Sequence, residues 1–410
     1  MSQSHNRGEP GHGLAPARRA VSLCFFLNGA VIASWVPHIP DLKTWLELGD
    51  GGLGMLLLAM AVGAILALPA AGWLISRLGS RVVTTVSAAG LSAAVVLPVV
   101  APGVVTTAAA LALLGACNAT LDVSMNAQGV TVEDRYGRPI MSSFHALFSV
   151  GGLIGAGGAA AAMAAAMSAR AHVVAVALLS LAAVWVAARS LLPAAPVRAQ
   201  SPIFVLPPAS LLGLGLLTFY ALLAEGAMGD WSAVYLRDSL ATSSAVAAAG
   251  FAAFSLAMAL GRLLGDRLAE RMGAARLLRF SGALAGGGLA ISLLVGHPAT
   301  ALLGFGLVGL GVANLIPILF SAAGRTPGIE AGTALAAVAT PGYFGYLAGP
   351  PLIGFAAEAA GLPAALGIVC VACGLVAAGA AIIPPVRDTL APELPVTIDA
   401  ITHTTEASHA

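Results

Sequence analysis

The sequence predicts an all-α membrane protein of twelve transmembrane helices, arranged as two pseudo-symmetric six-helix bundles with both termini in the cytoplasm. Three observations carry this. Hydrophobic residues make up 59% of the 410, besides 49 glycines, and only 9% are charged, against about 25% in a soluble globular domain. Apolar stretches of about 20 residues, the length that crosses a ~30 Å hydrocarbon core as helix, recur along the chain from Ala20 to Pro384. A proline-rich interruption, "LLPAAPVRAQSPIFVLPP", divides them into two sets of six.

In chain order, residues 1–18 form a polar tail with too little apolar surface to bury, expected to be disordered. The first span, 19–37, has the basic start and small-residue end of a secretory signal, but the spans that follow favour an uncleaved first helix. The rest of the first bundle (19–192) consists of spans at 51–76, 82–101, 104–131, 139–167 and 170–192. Residues 193–207 make a central cytoplasmic loop. The second bundle (208–384) follows with spans at 208–236, 244–269, 275–296, 299–322, 328–358 and 362–384, and a polar tail, 385–410, closes the chain.

Basic residues set the orientation. With the N-terminus in the cytoplasm, all of the 19 Lys and Arg residues fall on the inside except Lys43, Arg170 and Arg237, a strong positive-inside bias. The expected location is a cytoplasmic membrane. The basic residues sit at helix ends without interleaved aromatics, which excludes nucleic acid as a partner. Cys24, Cys117, Cys370 and Cys373 lie inside apolar segments as small packing residues, and no metal site or cofactor is expected.

The halves read as copies. "NGAVIASW" (28–35) matches "EGAMGDW" (225–231), Gly115 and Asn118 match Gly311 and Asn314, and "LIG" (153–155) matches "LIG" (352–354).

Two six-helix halves, a long middle loop and a basic loop after the second helix of each half resemble the major facilitator superfamily over nearly the whole chain. In that family the loop between spans two and three carries a Gly-x-Leu-Ala-Asp-Arg-x-Gly-Arg-Arg type signature. Here "GWLISRLGSR" (72–81) keeps Gly72, Arg77, Gly79 and Arg81, with Ser76 where the acid belongs. The second-half loop, "GRLLGDRLAERMG" (261–273), supplies Arg262, Asp266, Arg267 and Arg271. The resemblance implies cytoplasmic gating loops, in which guanidinium groups hold carboxylates and helix ends until transport breaks the contacts. More narrowly, "LDVSMNAQGVTVEDRYGRPIMSSFHALFSVGG" (121–152) and "GYFGYLAGPPLIGFAAE" (342–358) resemble the bacterial subgroup that includes the proteins called YbjJ and MosC. Gly345, Gly349, Pro350 and Gly354 are similar to an antiporter signature, but stand in span eleven rather than span five, so helix packing is the better account.

Polar groups at membrane depth carry the functional expectation. Asp122 precedes Glu133 by eleven residues (133 minus 122), about 16 Å along a helix, which places it near the bilayer middle. Asn118, Asp122 and Asn126 recur every four residues on one face, and such a stripe must meet protein or a water-filled cavity. Glu225 lies at similar depth in span seven, beside Gly226 and Gly229. No Lys or Arg is expected at that depth, and His145 is the basic candidate. A carboxylate in a low dielectric favours its neutral form and yields the proton when opened to water, so Asp122, Glu225 and His145 are the proton-coupling candidates. Substrate-binding candidates are Asn28, Trp35, Asn118, Asn126, Gln128, Asp230, Trp231, Asn314, Tyr343 and Tyr346, with Tyr220 beside them: amides and hydroxyls bond polyols, and aromatic faces stack on sugars or cations.

The expected function is secondary active transport of a small polar solute, a sugar, cyclitol or related metabolite, by a monomer, with proton-coupled symport ahead of antiport export of a drug or metabolite. A non-transporting sensor is the alternative of another class, although the tails are too short for an output domain. HExxH, GxSxG and GxxxxGK[ST] are missing from the chain, so no enzyme is expected.

Overall fold

The computed structural model describes residues 14–137, 140–193, 207–329 and 331–383, and all regular structure among them is helical. The first half contains α1 (Ala15–Trp35), a short turn and α2 (Ile39–Trp45), then α3 (Asp50–Leu78), α4 (Ser80–Ala94), α5 (Leu97–Val100), α6 (Val104–Tyr136), α7 (Met141–Ala164) and α8 (Ala169–Ala188). The second half contains α9 (Ala209–Val234), α10 (Ser244–Met272), α11 (Ala274–Val295), α12 (Pro298–Val312), α13 (Leu315–Gly324), α14 (Ala331–Ala360) and α15 (Leu362–Gly379). Eleven helical stretches among the described residues are long and apolar enough to cross a membrane. Beside them stands α14, 30 residues long with Pro341, Pro350 and Pro351 inside it. The tails and the central loop expected from the sequence lie largely outside the described residues.

The halves repeat in their packing. Gly79 and Gly273 end α3 and α10 at φ 79° and φ 78°, a conformation that only glycine adopts without strain. They are 194 positions apart (273 minus 79). The same offset relates two close helix contacts: a Cβ on Gly115 would lie 1.9 Å from the Met60 carbonyl oxygen, and one on Gly309 would lie 2.2 Å from that of Phe254. Gly151 backs onto Phe26 of α1, and Gly345, 194 positions on (345 minus 151), onto Phe219 of α9, 193 positions on (219 minus 26). Missing side chains let these backbones touch, which is how helices associate where lipid removes the hydrophobic drive.

This register corrects the matches drawn from short strings. Gly115 pairs with Gly309 rather than Gly311, so Asn118 and Asn314 are not counterparts. With 49 glycines in the chain, small-residue strings align in several registers, and only backbone contact selects one. The two halves meet where α3 packs on α14 and α7 on α10.

Candidate functional site

A cavity of about 450 Å³ lies between the halves. From the first half, Asn28 and Trp35 (α1), Asn118 and Asp122 (α6), and Phe148 and Ser149 (α7) line it. From the second come Glu225 and Asp230 (α9), Phe251, Phe254 and Arg262 (α10), and Tyr343 and Tyr346 (α14). On α9, Glu225, Gly226, Gly229 and Asp230 form one face by helical spacing.

Asp122 is exposed into this space. The Asn126 side-chain amide, one turn along α6, donates to the Asp122 Oδ1 at 3.3 Å and to its backbone oxygen at 2.8 Å. Asn126 therefore holds Asp122 and is not among the lining residues. Asn118 presents a buried Oδ1 without a hydrogen-bond partner, while Asn28 donates its amide to Met125 Sδ at 3.7 Å.

Glu225 has a basic partner that the sequence did not lead us to expect. Arg262 Nη2 lies 3.7 Å from Glu225 Oε1, and its Nη1 donates to Ser149 Oγ of the other half at 3.3 Å. The Tyr346 phenol lies within electrostatic reach of the same carboxylate. Arg262 was counted among the cytoplasmic arginines, but α10 continues as helix to Met272, ten residues further (272 minus 262), or about 15 Å. The available signal was Gly273: the turn glycine marks the end of this helix, whereas the first arginine does not.

Several expected binding residues stand elsewhere. Gln128 is fully buried inside the first half: its amide donates to Ser80 Oγ and Leu192 O, each at 2.9 Å, and its carbonyl accepts from Leu192 N at 3.2 Å. Asn314 sits at the break between α12 and α13 and donates to Gly261 O at 3.0 Å. A Cβ on Gly265 would lie 2.0 Å from the Asn314 Oδ1, so that glycine makes room for the amide. Both amides tie helices together, since buried polar groups in an apolar phase must find partners. Trp231 is wholly buried behind the cavity wall. His145 stands exposed on α7, edge-on to Phe25 with ring centroids 5.1 Å apart, and Tyr220 packs on Phe219; neither lines the cavity.

The residues that the resemblance places in gating loops lie near the end where the described chain begins and finishes. Arg77 lies over the Trp73 ring, and Arg81 donates to Ala188 O at 3.0 Å, satisfying a carbonyl at the end of α8. Gly72 lies in the last turns of α3 and Gly79 closes it, while Arg267 and Arg271 are exposed. The side chain of Asp266 lies outside the described residues. No ion pair joins the halves at this end among the described residues.

The opposite end is tied shut by residues that received no role from the sequence. Lys43 Nζ is 2.6 Å from Asp50 Oδ1 of its own half and 2.6 Å from Asp238 Oδ2 of the other. Glu358 of α14 accepts the Gly51 amide at 2.7 Å, capping the first turn of α3. Gly54 and Gly354 bring α3 and α14 into backbone contact there. Nearby, the buried His38 and His172 rings meet at 2.9 Å. The cavity thus lies between two halves that are joined at this end by contacts crossing from one to the other.

Comparison with known proteins agrees. The family model described as Major Facilitator Superfamily matches residues 214–403. An uncharacterized MFS-type transporter of Yersinia pestis is 38% identical over 358 residues, covering 87% of this chain and 93% of the relative. The membrane protein MosC of Rhizobium meliloti is 36% identical over 368 residues, covering 88% and 89%. Among solved structures, the nucleoside transporter NupG superposes with a TM-score of 0.66 at 14% identity, covering 89% of this chain and 98% of its own. At that identity the likeness speaks for the fold alone.

Proposed function

This chain belongs to the major facilitator superfamily, and on that premise we propose a secondary active transporter that carries a small polar solute across the bacterial cytoplasmic membrane by alternating access, coupled to protons. Sugars, cyclitols and related metabolites are the solute class that amides, hydroxyls and aromatic faces recognise. One observation carries the reading: carboxylates from both halves, Asp122 from the first and Glu225 and Asp230 from the second, line one cavity. Rocking the halves changes which side that cavity faces and what surrounds each carboxylate.

Proton coupling is assigned to Asp122 and Glu225. Asp122 has an amide on its own helix as its bonded neighbour, so a proton or a solute can reach it. Glu225 holds Arg262, which also bonds Ser149 across the halves. A proton or solute on Glu225 weakens that tie and loosens the contact between α7 and α10. His145 stands off the cavity and receives no coupling role.

The test is reconstitution of the purified protein in vesicles containing a pH dye, with an imposed gradient of glucose, myo-inositol, glucosamine or tyramine. Solute-driven proton movement is expected. Entry of protons with solute identifies symport, and opposite movement identifies antiport export. Asp122→Asn is expected to abolish accumulation driven by a pH gradient while leaving downhill solute exchange. Absence of flux under every imposed gradient defeats the transport reading.

A further inference from the structure

We propose that the solute is a cation: an organic amine whose ammonium group seats between Asp122 of the first half and Asp230 of the second, over the Tyr343 and Tyr346 rings of α14. This rests on the transport reading and narrows its solute class.

The charge inventory comes first. Three carboxylates line the cavity, Asp122, Glu225 and Asp230, against one guanidinium, Arg262. Arg262 is engaged by Glu225 and Ser149. Asp122 is bonded by Asn126 alone, and Asp230 has no ion pair or hydrogen bond among the described residues. A carboxylate removed from water is costly unless something neutralises it. A proton or an ammonium group can neutralise it, and an ammonium group in this cavity meets carboxylates of both halves.

Hydrogen-bonding capacity points the same way. The Asp122 and Asp230 carboxylates are the open acceptors of the wall, and Asn28 has spent its amide on Met125. The spare capacity of the wall is therefore acceptor-rich, and a ligand with several N–H donors completes it. Three carboxylates against one guanidinium disfavour an anion here.

The aromatic lining supplies the third argument. Tyr343 and Tyr346 are three residues apart on α14 and both face the cavity. Tyr343 lies within electrostatic reach of Asp122, and Tyr346 within reach of Glu225 and Asp230. Ring faces flanked by carboxylates attract a cation by two mechanisms together. Beyond them the wall is apolar, with Phe148, Phe251, Phe254 and Met258, and this suits an amine on a compact ring body.

The test uses matched pairs that differ by an ammonium group in place of a hydroxyl: glucosamine against glucose, and tyramine against its alcohol tyrosol. Binding is read as the rise in melting temperature of the full-length protein in detergent. At least one amine is expected to bind roughly tenfold more tightly than its hydroxyl partner. Asp122→Asn and Asp230→Asn are each expected to remove about that preference. Asp122→Glu and Asp230→Glu keep the charge, and recovery of the preference in them separates lost charge from a misfolded variant.

The proposal is overturned if the hydroxyl partners bind as well, if both Asn variants keep the preference, or if none of the four compounds binds. The two readings fail separately. Glucose flux without amine preference leaves a transporter with no cation seat. Amine binding without flux under any gradient leaves a cation seat in a protein that does not transport.

Discussion

Gln128 and Asp122 stand on the same helix and look alike in the sequence, each a polar residue in an apolar run. Their surroundings separate them. Gln128 makes hydrogen bonds to Ser80 and to both backbone groups of Leu192. Gln128→Ala strands those buried groups, and the expected loss is about 1–3 kcal/mol of stability, with no change in solute affinity. Thermal unfolding together with a binding titration checks this, and weakened binding in a protein of unchanged stability would refute it. Asp122→Asn is expected to do the reverse, keeping the melting temperature within a few degrees while coupled accumulation disappears. The stripe of Asn118, Asp122 and Asn126 was legible because its four-residue period is local. The fate of Gln128 and Asn314 was not, because their partners lie 64 positions (192 minus 128) and 53 positions (314 minus 261) away in the chain. Arg262 was missed for a different reason. Positive charge alone marks a helix boundary, whereas an arginine paired with a cavity-lining acid such as Glu225 belongs to the interior.

Among the elements, the glycine-rich run "GGLIGAGG" (151–158) of α7 shows how little composition alone decides. A Cβ on Gly151 or Gly155 would lie 2.1 Å or 2.2 Å from a carbonyl oxygen of α1, while one on Gly152, Gly157 or Gly158 meets nothing within 4 Å. Backbone cannot yield as a side chain does. Gly155→Val is therefore expected to destabilise by about 1–3 kcal/mol, because it pushes α7 off α1. By contrast, Gly158→Ala is expected to be neutral or to stabilise by up to about 1 kcal/mol, the helix-propensity gain. Melting temperatures of the two variants decide the matter, and equal losses at both positions would mean that the α1–α7 contact is wrongly described. Helical content and span positions were readable throughout, since apolar length is a one-dimensional property. Which glycines make contact was not, because that depends on the rotation of each helix about its axis.

At the scale of the whole molecule, the question is what keeps one end of the cavity closed. Lys43 joins Asp50 and Asp238 and thereby ties the two halves, with its side chain 14% exposed and those of its partners 21% and 34%. Half-exposed ion pairs contribute at most about 1 kcal/mol each. That is negligible for unfolding, but a shift of 1 kcal/mol changes a two-state ratio roughly fivefold. Lys43→Met is therefore expected to raise the population open at the Lys43 end about fivefold with no change in melting temperature. An Asn28→Cys reporter in the cavity, labelled by a membrane-impermeant maleimide applied from that side, reads the ratio as a labelling rate. The reporter is made in a background in which Cys24, Cys117, Cys370 and Cys373 are replaced, because the four thiols are free. Asp238→Asn should give much of the same acceleration, and the Lys43→Met, Asp238→Asn double variant should add little to either alone, since both cut one tie. Additive rates would mean that the residues act separately, and an unchanged rate in Lys43→Met would leave the packing of Gly54 against α14 as what holds this end. The sign also fixes the orientation. If labelling accelerates from the periplasmic face, the cavity seen here opens toward the cytoplasm, the orientation that the distribution of arginines in the sequence predicts.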